Sequence, residues 1–266
     1  VGGKQEGGKL GDLFAFKRDH IFKDWDDVKA NANNRYDAIG ELYGPAAWEA
    51  LKDKAGKQPI EPGDVCWADL NNDGVINNLD RVKVGNLFPT VTGGFSTTLG
   101  YKDFSLYARF DYALGHTLYN DLAARSLGQY QGSFNIIDMV KDSWSETNQD
   151  TDIPKFYYAD QLSKKNITRS NNGLTAVDNN SSRFYETGDY LALREITLTW
   201  NLPKKWINKA LMSNASVYVT GQNLFYITGY TGVSPEPAVD TTYGQGLDNG
   251  RYPTPKTVLL GLSVTF

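Results

Sequence analysis

One cysteine, two histidines and two methionines in 266 residues leave little material for disulfide or thiolate chemistry. A lone Cys66 can close no intrachain disulfide and build no cysteine-based metal cluster, so the sequence reads it as a buried, inert thiol. His20 and His116 stand apart, with no HExxH and no repeated ligand spacing, which excludes the common metallohydrolase signatures. Long apolar runs are missing as well: nothing approaches the roughly 18 residues a membrane-crossing helix needs, and mean hydropathy is −0.46. A basic surplus is absent. Lys and Arg number 27 against 31 Asp and Glu, giving −4 and a pI near 5.3, and without a cationic stripe to neutralise phosphates nucleic acid is excluded as a partner. There is no Gly-x-Ser-x-Gly and no phosphate-binding loop. The acidic neighbours Asp26/Asp27 and Glu236/Asp240 have no fixed separation that would define a glycosidase pair. The chain reads as a non-enzyme.

What the chain has is aromatic residues, 13% of the total, and alternation. At residues 256–266, Val258, Leu260, Leu262, Val264 and Phe266 share one face. Thr257, Leu259, Gly261, Ser263 and Thr265 share the other, the period of a strand. A strand that stays apolar to its last residue has to be paired and covered there, as in the closing strand of an outer-membrane barrel or the last strand of a soluble sandwich. Strands are also expected at 93–101 and 104–112, joined in a hairpin by Lys102 and Asp103, and at 190–200 and 215–225, with a weaker one at 11–17. In the second, Phe104, Leu106, Ala108, Phe110 and Tyr112 oppose Ser105, Tyr107, Arg109 and Asp111. Short helices are expected at 25–29 and at 45–52, where Pro45 suits a first turn, and a helical turn within 203–213. Between the strands run long irregular stretches rich in Gly, Asn, Asp and Ser. Counting back through antiparallel strands puts every short turn on one rim and every long connection, 19–91, 116–188 and 229–254, on the other. A sandwich has no reason to sort its loops so, whereas outer-membrane barrels do. The fold class is all-β: antiparallel strands of a large transmembrane barrel whose long extracellular loops contain short helices. Tyr101, Trp200, Tyr218 and Phe266 near strand ends suit interfacial girdles.

Residues 69–80 (DLNNDGVINNLD) carry oxygen side chains at positions 1, 3 and 5, glycine at 6 and a carboxylate at 12, the spacing of an EF-hand loop. Asp69, Asn71, Asp73, the Val75 carbonyl and Asp80 could then surround one Ca²⁺. Position 12 is Asp where Glu is usual, which dockerin-like loops tolerate, and flanking helices are not evident. The alternative is an Asx-stabilised turn without metal. In either case the loop pins an excursion at 19–91.

Four further stretches carry a resemblance: 63–81 (GDVCWADLNNDGVINNLDR), 183–198 (RFYETGDYLALREITL) with its continuation to Pro203, 218–225 (YVTGQNLF) and 252–256 (YPTPK). Together, and in order from about Gly11 to Phe266, they resemble the C-terminal third of SusC/RagA-type TonB-dependent transporters. The resemblance implies a barrel of about 22 strands when complete, to which this chain contributes six. It implies that plug, TonB-contacting segment and first strands belong to the remaining N-terminal part of the transporter, in keeping with a Gly-rich start at 1–9 that has no signal-peptide pattern. It further implies residence in the bacterial outer membrane, a SusD-like surface lipoprotein as lid, contact with membrane lipid, and TonB-driven import of glycan oligosaccharides or peptides. The final strand should pair with 215–225 and leave its other edge for a strand outside this chain. A soluble extracellular β-sandwich that binds glycans or mediates adhesion through a dockerin-like calcium loop is the alternative.

Overall fold

The structure, a computed structural model, describes residues 6–32, 36–37, 60–76, 78–129, 137–156, 181–236, 246–248, 250 and 252–266. The helix expected at 45–52 lies outside them. The chain forms two compact units, one from residues 1–87, 117–186 and 238–250, the other from 88–116, 187–237 and 251–266. In chain order the strands and the first helix are β1 (Asp12–Phe16), β2 (Arg18–Ile21), α1 (Trp25–Ala32), β3 (Tyr36–Asp37), β4 (Val65–Trp67), β5 (Val75–Ile76), β6 (Arg81–Asn86), β7 (Val91–Tyr101), β8 (Phe104–Leu114), β9 (Thr117–Asn120), β10 (Tyr185–Thr187), β11 (Tyr190–Asn201), β12 (Asn214–Thr228), β13 (Leu247–Asp248) and β14 (Thr257–Thr265).

The first unit is made of small sheets around two apolar clusters. β1 pairs with β6, β2 with β4, β3 with β5, and β9 lies between β10 and β13. α1 starts where Asp24 accepts a hydrogen bond from the Asp27 N–H at 2.9 Å, and Asp26 and Asp27 complement the positive helix start. Its buried residue Val28 joins Phe16, Ile21, Phe22, Ile60, Val65, Cys66, Trp67, Ile76 and Trp144 in one cluster. Tyr119, Ala124, Leu127, Ile153, Phe184 and Leu247 form the other. The expected strand at 11–17 does not join the barrel sheet; β1 instead closes an antiparallel pair with β6, whose residues RVKVGN alternate too weakly to announce a strand. Asp12 holds that pair: it accepts from the Lys9 N–H at 2.9 Å, from Asn86 Nδ2 at 2.8 Å and from Lys83 Nζ at 2.7 Å.

The second unit is one antiparallel sheet in the order β14-β12-β11-β8-β7, five strands where the sequence suggested six. Register fixes its two faces. One row runs Leu260, Val219, Leu198, Leu106, Leu99; the next runs Leu262, Val217, Trp200, Phe104, Tyr101; on the other side lie Val258, Gly221, Ile196, Ala108 and Thr97. The opposite face reads Leu259, Thr220, Thr197, Tyr107, Thr98 and Gly261, Tyr218, Thr199, Ser105, Gly100. The apolar face is uncovered: Val258 is 71%, Leu260 80%, Leu262 66% and Leu99 60% exposed. Sandwich strands would bury such residues against a second sheet. β7 and β8 have eleven residues each; at about 3.3 Å per residue and a tilt of about 40° they rise about 28 Å, the thickness of a hydrocarbon core.

Both short connections of this sheet, Lys102–Asp103 and residues 202–213, lie at one end, and the latter holds the helical turn Lys204–Ile207. The longer connections leave from the other end. At the short-turn end Phe104 stacks on Trp200 (centroids 6.1 Å, 11°) and Trp200 meets Trp206 edge-on at 5.9 Å. Tyr218, expected in such a girdle, is on the polar face instead, because it pairs with Thr199 and Gly261. Its ring occupies the space over Gly261, where a Cβ would come within 2.1 Å of the ring carbon Cζ.

Candidate functional site

The polar face of the sheet centres on Arg194, which sits in a β-bulge. Pairing slips between Leu193 and Glu195 against both neighbours: Arg194 is an extra residue against β8, while against β12 it stands opposite two residues, Asn223 and Leu224. Counting by twos alone puts Arg194 with Ile196 and Leu198; the extra residue turns it to the polar side. There it donates to Asp111 through Nε at 2.5 Å and Nη2 at 2.9 Å, to the Tyr226 hydroxyl at 3.2 Å, and to Glu236. Tyr226 in turn donates to Glu236 at 2.8 Å. One guanidinium thus ties β8, β11, β12 and the segment after β12 with bidentate, charge-assisted bonds. His116, buried, bonds through Nε2 to the Pro235 carbonyl at 2.9 Å and fixes the same segment a second time.

Beside this knot lies a concavity of about 580 Å³ lined by Gly94, Ser96, Arg109, Asp111 and Arg194 among others. Arg109 is exposed and stands opposite Ser96 on β7 and Glu195 on β11. Such a surface offers hydrogen bonds to a polar oligomer but no nucleophile with a base beside it. Glu236, a candidate hydrolytic carboxylate by sequence, is engaged by Arg194 and Tyr226; Asp240 lies outside the described residues.

The 69–80 loop is held by side-chain hydrogen bonds to its own backbone, one of them an Asx turn at Asn71. Gly74, at φ +78°, donates its N–H to Asp69 Oδ2 at 2.8 Å, and Asn71 Oδ1 accepts from the Asp73 N–H at 3.1 Å. Asn71 Nδ2 also donates to Asp73 Oδ2 at 2.8 Å, and the buried Asp80 carboxylate accepts from the Leu70 N–H at 2.9 Å. Val75 is in β5, paired with Tyr36. Asp69 Oδ1 is buried with no hydrogen-bond partner. The carboxylates of Asp69, Asp73 and Asp80 do not draw to within 4.8 Å of one another; among the described residues the His, Cys, Asp and Glu side chains that do so in a group of three are Asp19, His20 and Cys66. No local motif announces that group, since His20 and Cys66 lie on strands that only the fold pairs.

At the chain's last strand, Val258, Leu260, Leu262 and Val264 share the apolar face, and Phe266 follows the strand, 85% exposed. β14 pairs with β12 and is the edge of the sheet among the described residues, as β7 is at the other side.

No family model matches the chain. It is 31% identical over 243 residues to TonB-dependent receptor P3 of Formosa agariphila, which covers 86% of this chain and 22% of that protein. To TonB-dependent receptor P26 of the same organism it is 32% identical over 217 residues, 79% of this chain and 20% of the relative. To TonB-dependent receptor SusC of Bacteroides thetaiotaomicron it is 25% identical over 265 residues, 99% of this chain and 23% of SusC. Among solved structures, the RagAB peptide transporter matches with a TM-score of 0.59 at 23% identity over 77% of this chain and 21% of that one. The RagAB peptide importer in its open-open state matches at 0.60 and 20% identity, over 96% of this chain and 22% of that one. The chain therefore spans about a fifth of the length of these relatives. Its five strands are a stretch of an antiparallel barrel wall, and in sequence and fold the chain is part of a TonB-dependent receptor of the SusC/RagA type.

Proposed function

We propose that this chain forms wall strands and extracellular excursions of an outer-membrane, TonB-dependent importer of nutrient oligomers, glycan oligosaccharides or peptides. A SusD-like lipoprotein closes over its outer face, and no covalent chemistry is done on the cargo. The observation that carries the reading is the uncovered apolar row Leu260, Val219, Leu198, Leu106, Leu99, backed on the other face by Thr220, Thr197, Tyr107 and Thr98. Apolar outside and hydroxyl-rich inside is the requirement of a wall between lipid and a wet lumen. The edges at β14 and β7 are to be paired by strands from the rest of the transporter, and residues 19–91 make an extracellular excursion.

A fluorophore on a single cysteine tests the reading in the complete transporter carrying Cys66→Ser. At position 260 brominated lipid should quench it and aqueous iodide should not; at position 259 the order should reverse. Equal iodide quenching at both positions, or a folded monomer in buffer without detergent, overturns it. Uptake of labelled oligosaccharides and of labelled peptides, compared in cells with and without the transporter, decides the cargo, and the lipoprotein that co-purifies identifies the lid.

In the same reading the 69–80 loop holds Ca²⁺ as a structural ion through Asp69, Asn71, Asp73, the Val75 carbonyl and Asp80. The partnerless Asp69 Oδ1 and the Gly74 turn support this, and binding would draw Asp73 and Asp80 inward from their present hydrogen bonds. Tb³⁺ in the loop should luminesce on excitation of Trp67 and lose that signal in Asp69→Asn; no sensitised emission at millimolar Tb³⁺ refutes the site.

A further inference from the structure

β2 and β4 pair antiparallel with His20 directly opposite Cys66, and residues directly opposite in such a pair point to the same side. Asp19 is next to His20 in sequence and in a regular strand would point away. The register shifts between Arg18 and His20, so Asp19 is an extra residue in β2, and the irregularity brings its carboxylate round to the histidine. As a result one carboxylate oxygen of Asp19, one ring nitrogen of His20 and the Cys66 sulfur lie within 4.8 Å of one another.

The histidine is oriented from behind. Its Nε2 lies 3.2 Å from Asp27 Oδ1 on α1, while Nδ1 lies 3.4 Å from Asp19 Oδ2. Asp27 is itself held by the Lys23 N–H at 2.9 Å and Asn31 Nδ2 at 2.6 Å. A carboxylate accepting the Nε2 proton leaves the Nδ1 lone pair on the Asp19 side, the outer-sphere arrangement that orients metal-ligating imidazoles. Cys66 is buried at the base and the Asp19 side chain is about half exposed at 47%, so an ion has a floor and an entrance.

We propose that Asp19, His20 and Cys66 form a zinc site, with His20 Nδ1, the Cys66 thiolate and an Asp19 oxygen as ligands and water in the fourth position. One sulfur, one nitrogen and one oxygen suit Zn²⁺ better than calcium or magnesium, which take oxygen alone. Zn–S of about 2.3 Å and Zn–N of about 2.0–2.1 Å place tetrahedral ligand atoms about 3.4–3.6 Å apart, and Asp19 Oδ2 already stands 3.4 Å from His20 Nδ1. The Cys66 thiol gives its proton to solvent as the metal binds. The bound ion cross-links β2 to β4 and, through Asp27, to α1, so its role is to stiffen this small-sheet unit.

Cobalt(II) titrated into the purified transporter tests the site by spectroscopy. Wild type is expected to develop a near-ultraviolet thiolate-to-cobalt band with tetrahedral visible bands, displaced by Zn²⁺ and unaffected by excess Ca²⁺. Cys66→Ser should abolish the near-ultraviolet band. Asp19→Asn, on a side chain about half exposed, and Asp27→Asn should each weaken cobalt binding at least about tenfold with the strand circular dichroism unchanged. Absence of the band at millimolar cobalt, or equal affinity in wild type, Asp19→Asn and Asp27→Asn, overturns the proposal.

Discussion

An arginine scan down the outer face of β14 separates a lipid-facing wall from a solvated sheet. Leu262 lies in the row of Trp200, Phe104 and Tyr101, at the aromatic rim. Leu260 is two residues further and Val258 four; at about 3.3 Å per residue and a tilt of about 40°, they sit about 5 and 10 Å deeper. Depth sets the penalty. Val258→Arg, near the middle of the hydrocarbon, should cost about 2–4 kcal/mol, Leu262→Arg about 0–1 kcal/mol, and Leu260→Arg a value between them. Leu259→Arg, between two of these positions but on the opposite face, is the control, and its cost should be within about 0.5 kcal/mol of zero. Urea titration of the lipid-inserted transporter, followed by heat-modifiable gel mobility, measures all four. A flat series, with every substitution within about 0.5 kcal/mol, is what exposed positions on a soluble sheet give. That result would refute the membrane reading.

Gly261→Ala should destabilise the β12–β14 pair by about 1–3 kcal/mol, since the new Cβ meets the Tyr218 ring at 2.1 Å; Tyr218→Ser in the same chain should restore most of the loss in the same titration. Arg194→Met leaves Asp111 and Glu236 without their shared cation; both are about one-third exposed, so the cost is nearer about 1–2 kcal/mol than that of a buried pair. Hydrogen exchange in residues 229–236 should rise about tenfold with it, and unchanged exchange would show that the arginine does not hold this segment. The Lys83 ammonium, with Asn86 and the Lys9 N–H, lowers the Asp12 carboxyl to about 2. A lowered folded-state pKa adds stability that is present above the ordinary carboxylate value and lost as pH falls through about 2. Lys83→Met should therefore move the acid unfolding of the β1–β6 pair to higher pH; circular dichroism that superimposes on wild type between pH 4 and 2 would contradict this.

β7, β8 and β14 are legible because their alternation survives unbroken. β8 has no bulge against β7, so the faces counted from Phe104 to Tyr112 are the faces seen. Where an extra residue enters, counting fails: Arg194 in β11 and Asp19 in β2 both sit where pairing slips, and both gain their partners through the slip. Long-range pairing was equally hidden. Nothing local in RVKVGN says that β6 will cover β1, and nothing in the sequence around His20 points to Cys66. Tyr218 shows a related limit: its place near a strand end suggests an interfacial ring, while its register sets it across from Gly261 on the polar face. The 69–80 spacing was plain, and its Gly74 turn is present; ligand convergence depends on side-chain rotamers that spacing does not encode.

The ends of the sheet are unequal, with the short connections Lys102–Asp103 and residues 202–213 at one and every longer connection leaving near Leu114, Tyr190, Thr228 and Thr257 at the other. Hydrogen-bond register is set along the strands, so the segments entering at that single end can be exchanged without renegotiating it. Residues 1–87, 117–186 and 238–250 share two apolar clusters, so replacing all three together with a relative's should leave the wall able to form, whereas replacing 117–186 alone should not leave those clusters intact. The segments at that end can then vary in sequence and length while the wall stays as it is.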